Sequence, residues 1–141
     1  MPTRIAHARW EGSLNEGTGS VDFGNGLYSA PYSFASRFEE SYGTNPEELL
    51  GAAHAGCFAM ALSLILGDAE YVPNYIDVTA SVTISSRDGT FSITKSHLKC
   101  EAKVPGLNET EFTRLAHIAK VNCPVSRALA GTTISLDAEL Q

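Results

Sequence analysis

Nineteen consecutive residues, Leu49 to Gly67, carry no Asp, Glu, Lys or Arg. A run of that length and composition either crosses a bilayer or forms a long helix inside a protein. Its content favours the second. It is rich in Ala and Gly, holds His54 and Ser63, and is bounded by acids, Glu47 and Glu48 before it and Asp68 and Glu70 after it, where a membrane span takes positive anchors. The start of the helix is legible in Asn45-Pro46-Glu47-Glu48. Pro46 suits the first helical position, Asn45 becomes the N-cap, and Glu48 becomes the third helical residue, able to reach back to the cap. Glu47 has no such local task. Leu50, Ala53, Cys57, Ala61 and Leu64 fall on one stripe and Gly67 is a plausible C-cap, so a buried central helix is expected.

The rest of the chain reads as strands and shorter helices around that helix. Residues 5–38 mix Gly12, Gly17, Gly19, Gly24 and Gly26 with short runs such as Ala6–Trp10 and Tyr32–Phe38, which predicts strands joined by turns. Beyond Pro73, Val78, Ala80, Val82 and Ile84 alternate into the hairpin signal Asp88-Gly89, and Phe91 and Ile93 run out of it. Leu98, Cys100, Ala102 and Val104 alternate in the other phase, which predicts a bulge near Lys95 to His97. A capping box, Asn108 to Glu111, opens a second helix carrying Phe112, Leu115, Ala116 and Ala119. Cys123-Pro124 restarts a short one, and Ile134, Leu136, Ala138 and Leu140 close as a strand. The order is that of an α+β domain, and no linker divides residues 1–141, so a single domain is expected.

Composition removes several function classes. With 43% hydrophobic and 18% charged residues in 141, the chain is neither disordered nor a coiled coil. A net charge of -6 repels phosphate backbones and anionic bilayers, so neither nucleic acid nor a membrane is an expected partner. The first ten residues lack the apolar core and cleavage site of a signal peptide, which places the protein in the cytoplasm. Three cysteines at wide spacing, Cys57, Cys100 and Cys123, argue against a disulfide framework in that reducing compartment.

Each cysteine has a bland reading and a chemical one. Cys57, mid-helix among Ala53, Gly56 and Ala61, is a small buried hydrophobe or a nucleophile. Cys123, at the N-cap of a short helix, would face free backbone N–H groups that favour a thiolate, or it caps by chance. Cys100 points inward from an alternating strand and reads as core. His54, three residues before Cys57, raises a Cys–His nucleophile or a Cys/His metal site, although no further ligand at metal spacing accompanies it. His7, His97 and His117 read as surface or structural.

The segments Tyr32-Ser33-Phe34, Ser36-Arg37-Phe38-Glu39, Gly43 to Leu50, Ala52-Ala53-His54-Ala55-Gly56-Cys57-Phe58 and Asn122-Cys123-Pro124-Val125-Ser126 together resemble the OsmC/Ohr family of thiol peroxidases, the OsmC branch most closely. The similarity extends to the start, Ala8-Arg9-Trp10-Glu11-Gly12, and to Ile134-Ser135-Leu136-Asp137. The resemblance implies antiparallel sheets around a long central helix in an intertwined homodimer. It also implies reduction of organic hydroperoxides in oxidative or osmotic stress defence, without metal, haem or other cofactor. By position, Cys57 would be the peroxidatic cysteine and Cys123 the resolving one, with Arg37 activating the thiolate and Glu47 holding the arginine.

Each implied role has a physical counterpart. A thiol attacks an O–O bond only as thiolate, so a Cys57 in an apolar pocket needs a permanent cation such as a guanidinium, and a buried guanidinium needs a carboxylate. Attack leaves an alcohol and a sulfenic acid on Cys57. Condensation with Cys123 gives a disulfide, and an external dithiol of lipoyl or thioredoxin type restores both thiols. Tyr32, Phe34, Phe38 and Phe58 are candidate walls for an alkyl group. Glu47 and Cys57 stand about 15 Å apart along a helix axis, so a site shared between two chains is expected, with Gly51, Ala52, Ala55 and Gly56 permitting two helices to approach closely. Two other readings fit the same residues: a non-catalytic stress-induced binding protein of this fold, and a Cys/His metal-binding or hydrolytic enzyme using Cys57 with His54.

Overall fold

A computed structural model describes residues 1–141, which divide into two compact units, Met1–Leu49 and Leu50–Gln141. In the first unit, strands β1 (Ala6–Glu11), β2 (Thr18–Phe23) and β3 (Tyr28–Tyr32) form an antiparallel meander in the order β1-β2-β3. The turn between β2 and β3 places Gly24, Asn25 and Gly26 all at positive φ, 66°, 55° and 84°, the conformation that glycine and asparagine tolerate best. Trp10 and Tyr32 close over Gly19 with ring centroids 5.3 Å apart. A Cβ on Gly19 would lie 2.5 Å from the Tyr32 ring and 2.7 Å from the Trp10 ring, so only glycine lets the two aromatics meet.

The aromatic run after Tyr32, expected to continue as strand, instead turns into the short helix α1 (Phe34–Phe38). The reason is local. The Ser33 hydroxyl accepts from the Ser36 N–H at 3.1 Å and the Ser36 hydroxyl accepts from the Ser33 N–H at 2.8 Å, a reciprocal cap that satisfies two otherwise free amides. Ser36 also donates to the Thr44 carbonyl at 2.7 Å, and the Asn45 amide donates to the Ser36 carbonyl at 2.9 Å. These bonds tie α1 to the start of α2 (Pro46–Asp68). Asn45 caps α2 as expected, its Oδ1 accepting from the Glu48 N–H at 2.8 Å. The Glu48 carboxylate reaches back to the Thr44 hydroxyl at 3.1 Å rather than to the cap residue.

The second unit contains the body of α2 and the sheet β4-β5-β6. Strands β4 (Tyr75–Arg87) and β5 (Thr90–Lys103) pair antiparallel across Asp88-Gly89, both at positive φ as the two-residue hairpin requires. The register slips between Thr83 and Ile84, opposite Thr94, one residue before the expected bulge, and inverts the alternation as Ser96, Leu98, Cys100 and Ala102 turn inward. Helix α3 (Glu109–Asn122), capped by Asn108, and helix α4 (Pro124–Ala128), which begins after Cys123, lead to β6 (Thr133–Leu140). Strand β6 lies parallel to β5, whereas the other strand–strand pairs, β1-β2, β2-β3 and β4-β5, are antiparallel. The α+β architecture is as read from the sequence.

The buried face of α2 differs from the expected stripe. Gly51, His54, Phe58, Leu62 and Leu66 point inward, whereas Ala53 and Leu64 are exposed and Leu50, Cys57 and Ala61 lie at the border. Phe58, Leu62 and Leu66 pack with Phe112, Leu115 and Ala116 of α3 and with Leu98 and Cys100 of β5, each large side chain contributing about 1.5–3 kcal/mol through burial. A helix apolar on every side offers no polar face from which to infer the inward one. Gly51 meets the strand, since a Cβ there would lie 3.4 Å from the Ala80 carbonyl oxygen, so it serves packing within the unit. The opposite face leaves Met60 77% and Leu64 65% exposed, and α2 is long and apolar enough to cross a membrane by length and composition. The helix also passes Gly67, the expected cap. Glu70 takes the left-handed position with φ 66°, and the Tyr71 N–H bonds to the Leu66 carbonyl at 2.9 Å while Tyr71 packs on the core.

Candidate active site

The first unit supplies a cation and its counter-ion. Arg37 sits in the last turn of α1 and Glu47 in the first turn of α2, and the Ser36–Thr44 and Asn45–Ser36 bonds bring those turns together. The Arg37 Nη2 donates to Glu47 Oε1 at 2.9 Å and its Nε lies 3.3 Å from both carboxylate oxygens. The Glu47 side chain is 9% exposed and that of Arg37 32%, so the carboxylate is held out of water by one partner that carries a permanent charge. The guanidinium carbon lies 5.3 Å from the Phe38 ring centroid, and the Phe38 and Phe34 rings stand 4.9 Å apart. Beside them is a cavity of about 200 Å³ lined by Trp10, Leu14, Tyr32, Ser33, Phe34, Phe38 and Arg37, a largely aromatic lining with one guanidinium. Tyr32, Phe34 and Phe38 line one cavity of the first unit, while Phe58, expected beside them, lies in the core of the second unit.

The second unit brings two thiols together. Cys57 on α2 and Cys123 between α3 and α4 are both free thiols, and they lie close enough for each to shift the titration of the other. Burial pushes the Cys57 thiol above its ordinary range; the Val125 N–H opposes the shift and the Cys123 sulfur adds to it. Burial also acts against the Cys123 thiolate, but the Ser126 N–H, the Cys57 thiol, the Ser126 hydroxyl and the Val125 N–H outweigh it and hold Cys123 below the ordinary range. Cys123 makes no side-chain capping hydrogen bond to α4, but the nearby amides favour its thiolate in the direction expected from its position ahead of Pro124.

His54 is fully buried and does not face Cys57 as a base. Its Nδ1 lies 2.7 Å from the Ser96 hydroxyl and its Nε2 2.8 Å from the Ser126 hydroxyl, and burial holds the imidazole below its usual range, in the neutral form. Both ring nitrogens are occupied, which removes the Cys57–His54 nucleophile pair, and no group of three His, Cys, Asp or Glu residues converges on a point where a metal could sit. Ser96 and Ser126 had no role in the sequence reading. The only available signal was the position of Ser126, three residues beyond Cys123, where it reaches back over one helical turn. Cys100 is fully buried in the core as expected, its thiol pushed up to about 12 by burial, with Asp77 and Glu101 adding to the shift. His97, left without a partner by the sequence reading, bonds to Ser135 at 2.6 Å and Asp137 at 3.0 Å across the β5–β6 pair.

The chain as a whole is similar to known proteins. The family model described as OsmC-like protein matches residues 38–138. Peroxiredoxin OsmC of Escherichia coli (strain K12) is 49% identical over 135 residues, covering 95% of this chain and 94% of that protein. The organic hydroperoxide resistance protein of Xanthomonas axonopodis pv. citri (strain 306) is 33% identical over 90 residues, 63% of this chain and 61% of that protein. Among solved structures, an organic hydroperoxide resistance protein from Elizabethkingia anophelis superposes with a TM-score of 0.70 at 26% identity, covering 99% of this chain and 97% of that one. With a family model matching most of its length and a relative sharing half its residues from end to end, the chain belongs to the OsmC family.

Proposed function

We propose that this protein is a thiol-dependent peroxidase that reduces organic hydroperoxides to alcohols in stress defence, with a dithiol as its reductant. The observation that carries the reading is the proximity of the Cys57 and Cys123 thiols, brought together from two distant parts of the sequence so that each shifts the other. The names of the relatives support it, one a peroxiredoxin and another an organic hydroperoxide resistance protein.

Cys57 is the peroxidatic cysteine and Cys123 the resolving one. The Cys57 thiolate attacks the terminal oxygen of the hydroperoxide, the O–O bond breaks, and the alkoxide leaves as the alcohol after taking up a proton, with a sulfenic acid left on sulfur. Cys123, already disposed toward the thiolate, attacks that sulfur, expelling hydroxide that becomes water, and the two cysteines are joined. A dithiol of lipoyl or thioredoxin type then exchanges with the disulfide and carries away both electrons. Burial works against the first step, since it keeps the proton on Cys57. Arg37, held by Glu47, is the cation assigned to offset it.

The apolar face of α2 that exposes Met60 and Leu64 belongs, in this reading, against a second copy of the chain in a homodimer. Gly56, where an added Cβ would meet nothing within the chain, allows that approach. The protein works in the cytoplasm, where reduced thiols are maintained.

Titration of thiols before and after one equivalent of an organic hydroperoxide tests the reading. Two of the three thiols disappear, Cys57 and Cys123 form a disulfide, and a dithiol returns both. No thiol loss would make this a binding protein of the same fold, and stoichiometric zinc would point to metal chemistry; either result overturns the proposal.

A further inference from the structure

The second unit carries a buried polar chain that the peroxidase steps do not use. His54 and Ser96 are fully buried and Ser126 is 6% exposed, and the ring of His54 bridges the two hydroxyls at 2.7 and 2.8 Å. Packing alone does not call for such an arrangement. An apolar side chain of similar volume on α2 would fill the space between β5 and α4 without desolvating a ring and two hydroxyls.

The direction of the chain follows from counting protons. The Ser126 side chain, three residues and one helical turn beyond Cys123, favours the Cys123 thiolate, which assigns its hydroxyl proton to that sulfur. A hydroxyl has one proton, so Ser126 cannot also donate to His54, and the 2.8 Å contact must have Nε2–H as donor and Ser126 Oγ as acceptor. A neutral imidazole with its proton on Nε2 has a bare Nδ1, and the Ser96 hydroxyl donates there. The sequence of donors therefore runs from Ser96 to His54 to Ser126 to Cys123, with no donor left over and no nitrogen unpaired.

We propose that His54 is a positioning residue for the resolving thiol: anchored by Ser96, its ring aims the Ser126 hydroxyl at the Cys123 sulfur. The proposal rests on the assignment of Cys123 as the resolving cysteine. It adds a device that acts on Cys123 at two points, when its thiolate attacks the Cys57 sulfenic acid and when it leaves as thiolate during reduction of the disulfide. In the attack, the Cys123–Cys57 bond forms as the Cys57 S–O bond breaks, and hydroxide departs. The Ser126 proton stays on its oxygen throughout.

The test reads Cys123 apart from peroxide chemistry. In a Cys57→Ser background, where Cys57, the titratable group facing Cys123 from α2, is gone, the ultraviolet absorbance of the Cys123 thiolate is followed against pH; Cys100, near 12, stays silent. His54→Phe and Ser126→Ala each raise the Cys123 pKa by about one unit, the loss of one hydrogen bond to a charged acceptor. The double variant is no worse than either single one, because both remove the same donor. His54→Gln, whose amide can donate to Ser126 and accept from Ser96, moves the value back toward the parent. With both cysteines present, His54→Phe slows disulfide formation about tenfold and does not slow the initial oxidation of Cys57. An unchanged Cys123 pKa in His54→Phe, or additive effects of the two variants, overturns the proposal. If His54→Phe does not fold, Ser126→Ala and Ser96→Ala decide it: Ser126→Ala raises the pKa, Ser96→Ala raises it less, and no shift in either sinks it. Failure of the parent protein to consume hydroperoxide would instead sink the peroxidase reading, and the Cys123 titration separates the two failures.

Discussion

Arg37 meets Glu47 as a fork on a carboxylate, Nη2 at 2.9 Å from one oxygen and Nε at 3.3 Å from both. Neither residue could be placed by its own helix alone. The Ser33–Ser36 cap sets the direction of α1, and the Asn45 side chain caps α2 with its oxygen while its nitrogen holds the Ser36 carbonyl. One hydrogen-bonded corner therefore fixes both partners, and the ion pair reports the geometry of that corner.

If Arg37 supplies the charge that Cys57 requires, Arg37→Met leaves Cys57 to the effect of burial, which raises its pKa. The thiolate fraction at neutral pH then falls, and the rate of hydroperoxide consumption climbs with pH into the alkaline range where the parent has levelled off. An opposite charge shifts a neighbouring pKa by about 1–3 units, so the loss at neutral pH is between about tenfold and a thousandfold. A stopped-flow pH profile of the reduced proteins checks this. Glu47→Gln, which keeps a hydrogen-bonding side chain but removes the charge, costs about 1–2 kcal/mol of stability, between the values for exposed and buried pairs.

Cys57→Ser abolishes hydroperoxide consumption, whereas Cys123→Ser still oxidises once at Cys57 but forms no intramolecular disulfide. Intact mass after peroxide treatment distinguishes them: the Cys123→Ser chain gains oxygen atoms and the Cys57→Ser chain does not. Equal turnover by all three proteins would remove both role assignments.

The fold and the site were legible where the determinants are local. Asn45-Pro46 marks the start of α2 because a cap and a missing N–H act within one turn, and Asp88-Gly89 marks the hairpin because positive φ is needed at those two positions. The inward face of α2 was not legible, since Ala53 and Leu64 are as apolar as Phe58 and Leu62, and the residue that marks the buried face, His54, is polar and looks misplaced until Ser96 and Ser126 are seen around it. Phe34–Phe38 misled for a related reason: aromatic residues favour strands, but the Ser33–Ser36 cap decides the segment. The Arg37–Glu47 pair was implied by the family resemblance and not by any local pattern, because it depends on the corner at Ser36, Thr44 and Asn45.

Cys100 is the control for the other two thiols. It is fully buried against Leu98, Ala102 and the α2–α3 core, with its thiol near 12, so in the native protein it reacts with neither hydroperoxide nor a thiol reagent at neutral pH. Cys100→Ala keeps turnover within a few fold and lowers stability by about 1 kcal/mol, the removal of a single sulfur from a packed site. Counting fast and slow thiols with an alkylating reagent before and after denaturation checks the first statement, and turnover of the folded variant the second. Loss of all turnover in folded Cys100→Ala would mean that the resolving thiol has been misassigned.

The last expectation concerns the exposed face of α2. Met60 and Leu64 there are more than half exposed in the single chain, a surface that a soluble protein covers with another copy or a partner. If the cover is a second copy and the active site is shared across it, each site draws Cys57 from one chain and Glu47 from the other. Chains carrying Cys57→Ser and chains carrying Glu47→Ala are each impaired alone, but a heterodimer of the two contains one site with both defects and one with neither. Refolding the two together, with differently tagged chains to purify the heterodimer, restores about half of the parent activity per dimer, because one of its two sites is intact. Leu64→Glu, placing a charge on the face that pairs, converts the dimer to monomer in sedimentation and abolishes that restoration. Heterodimers as inactive as their parents would place Glu47 and Cys57 of each site in the same chain.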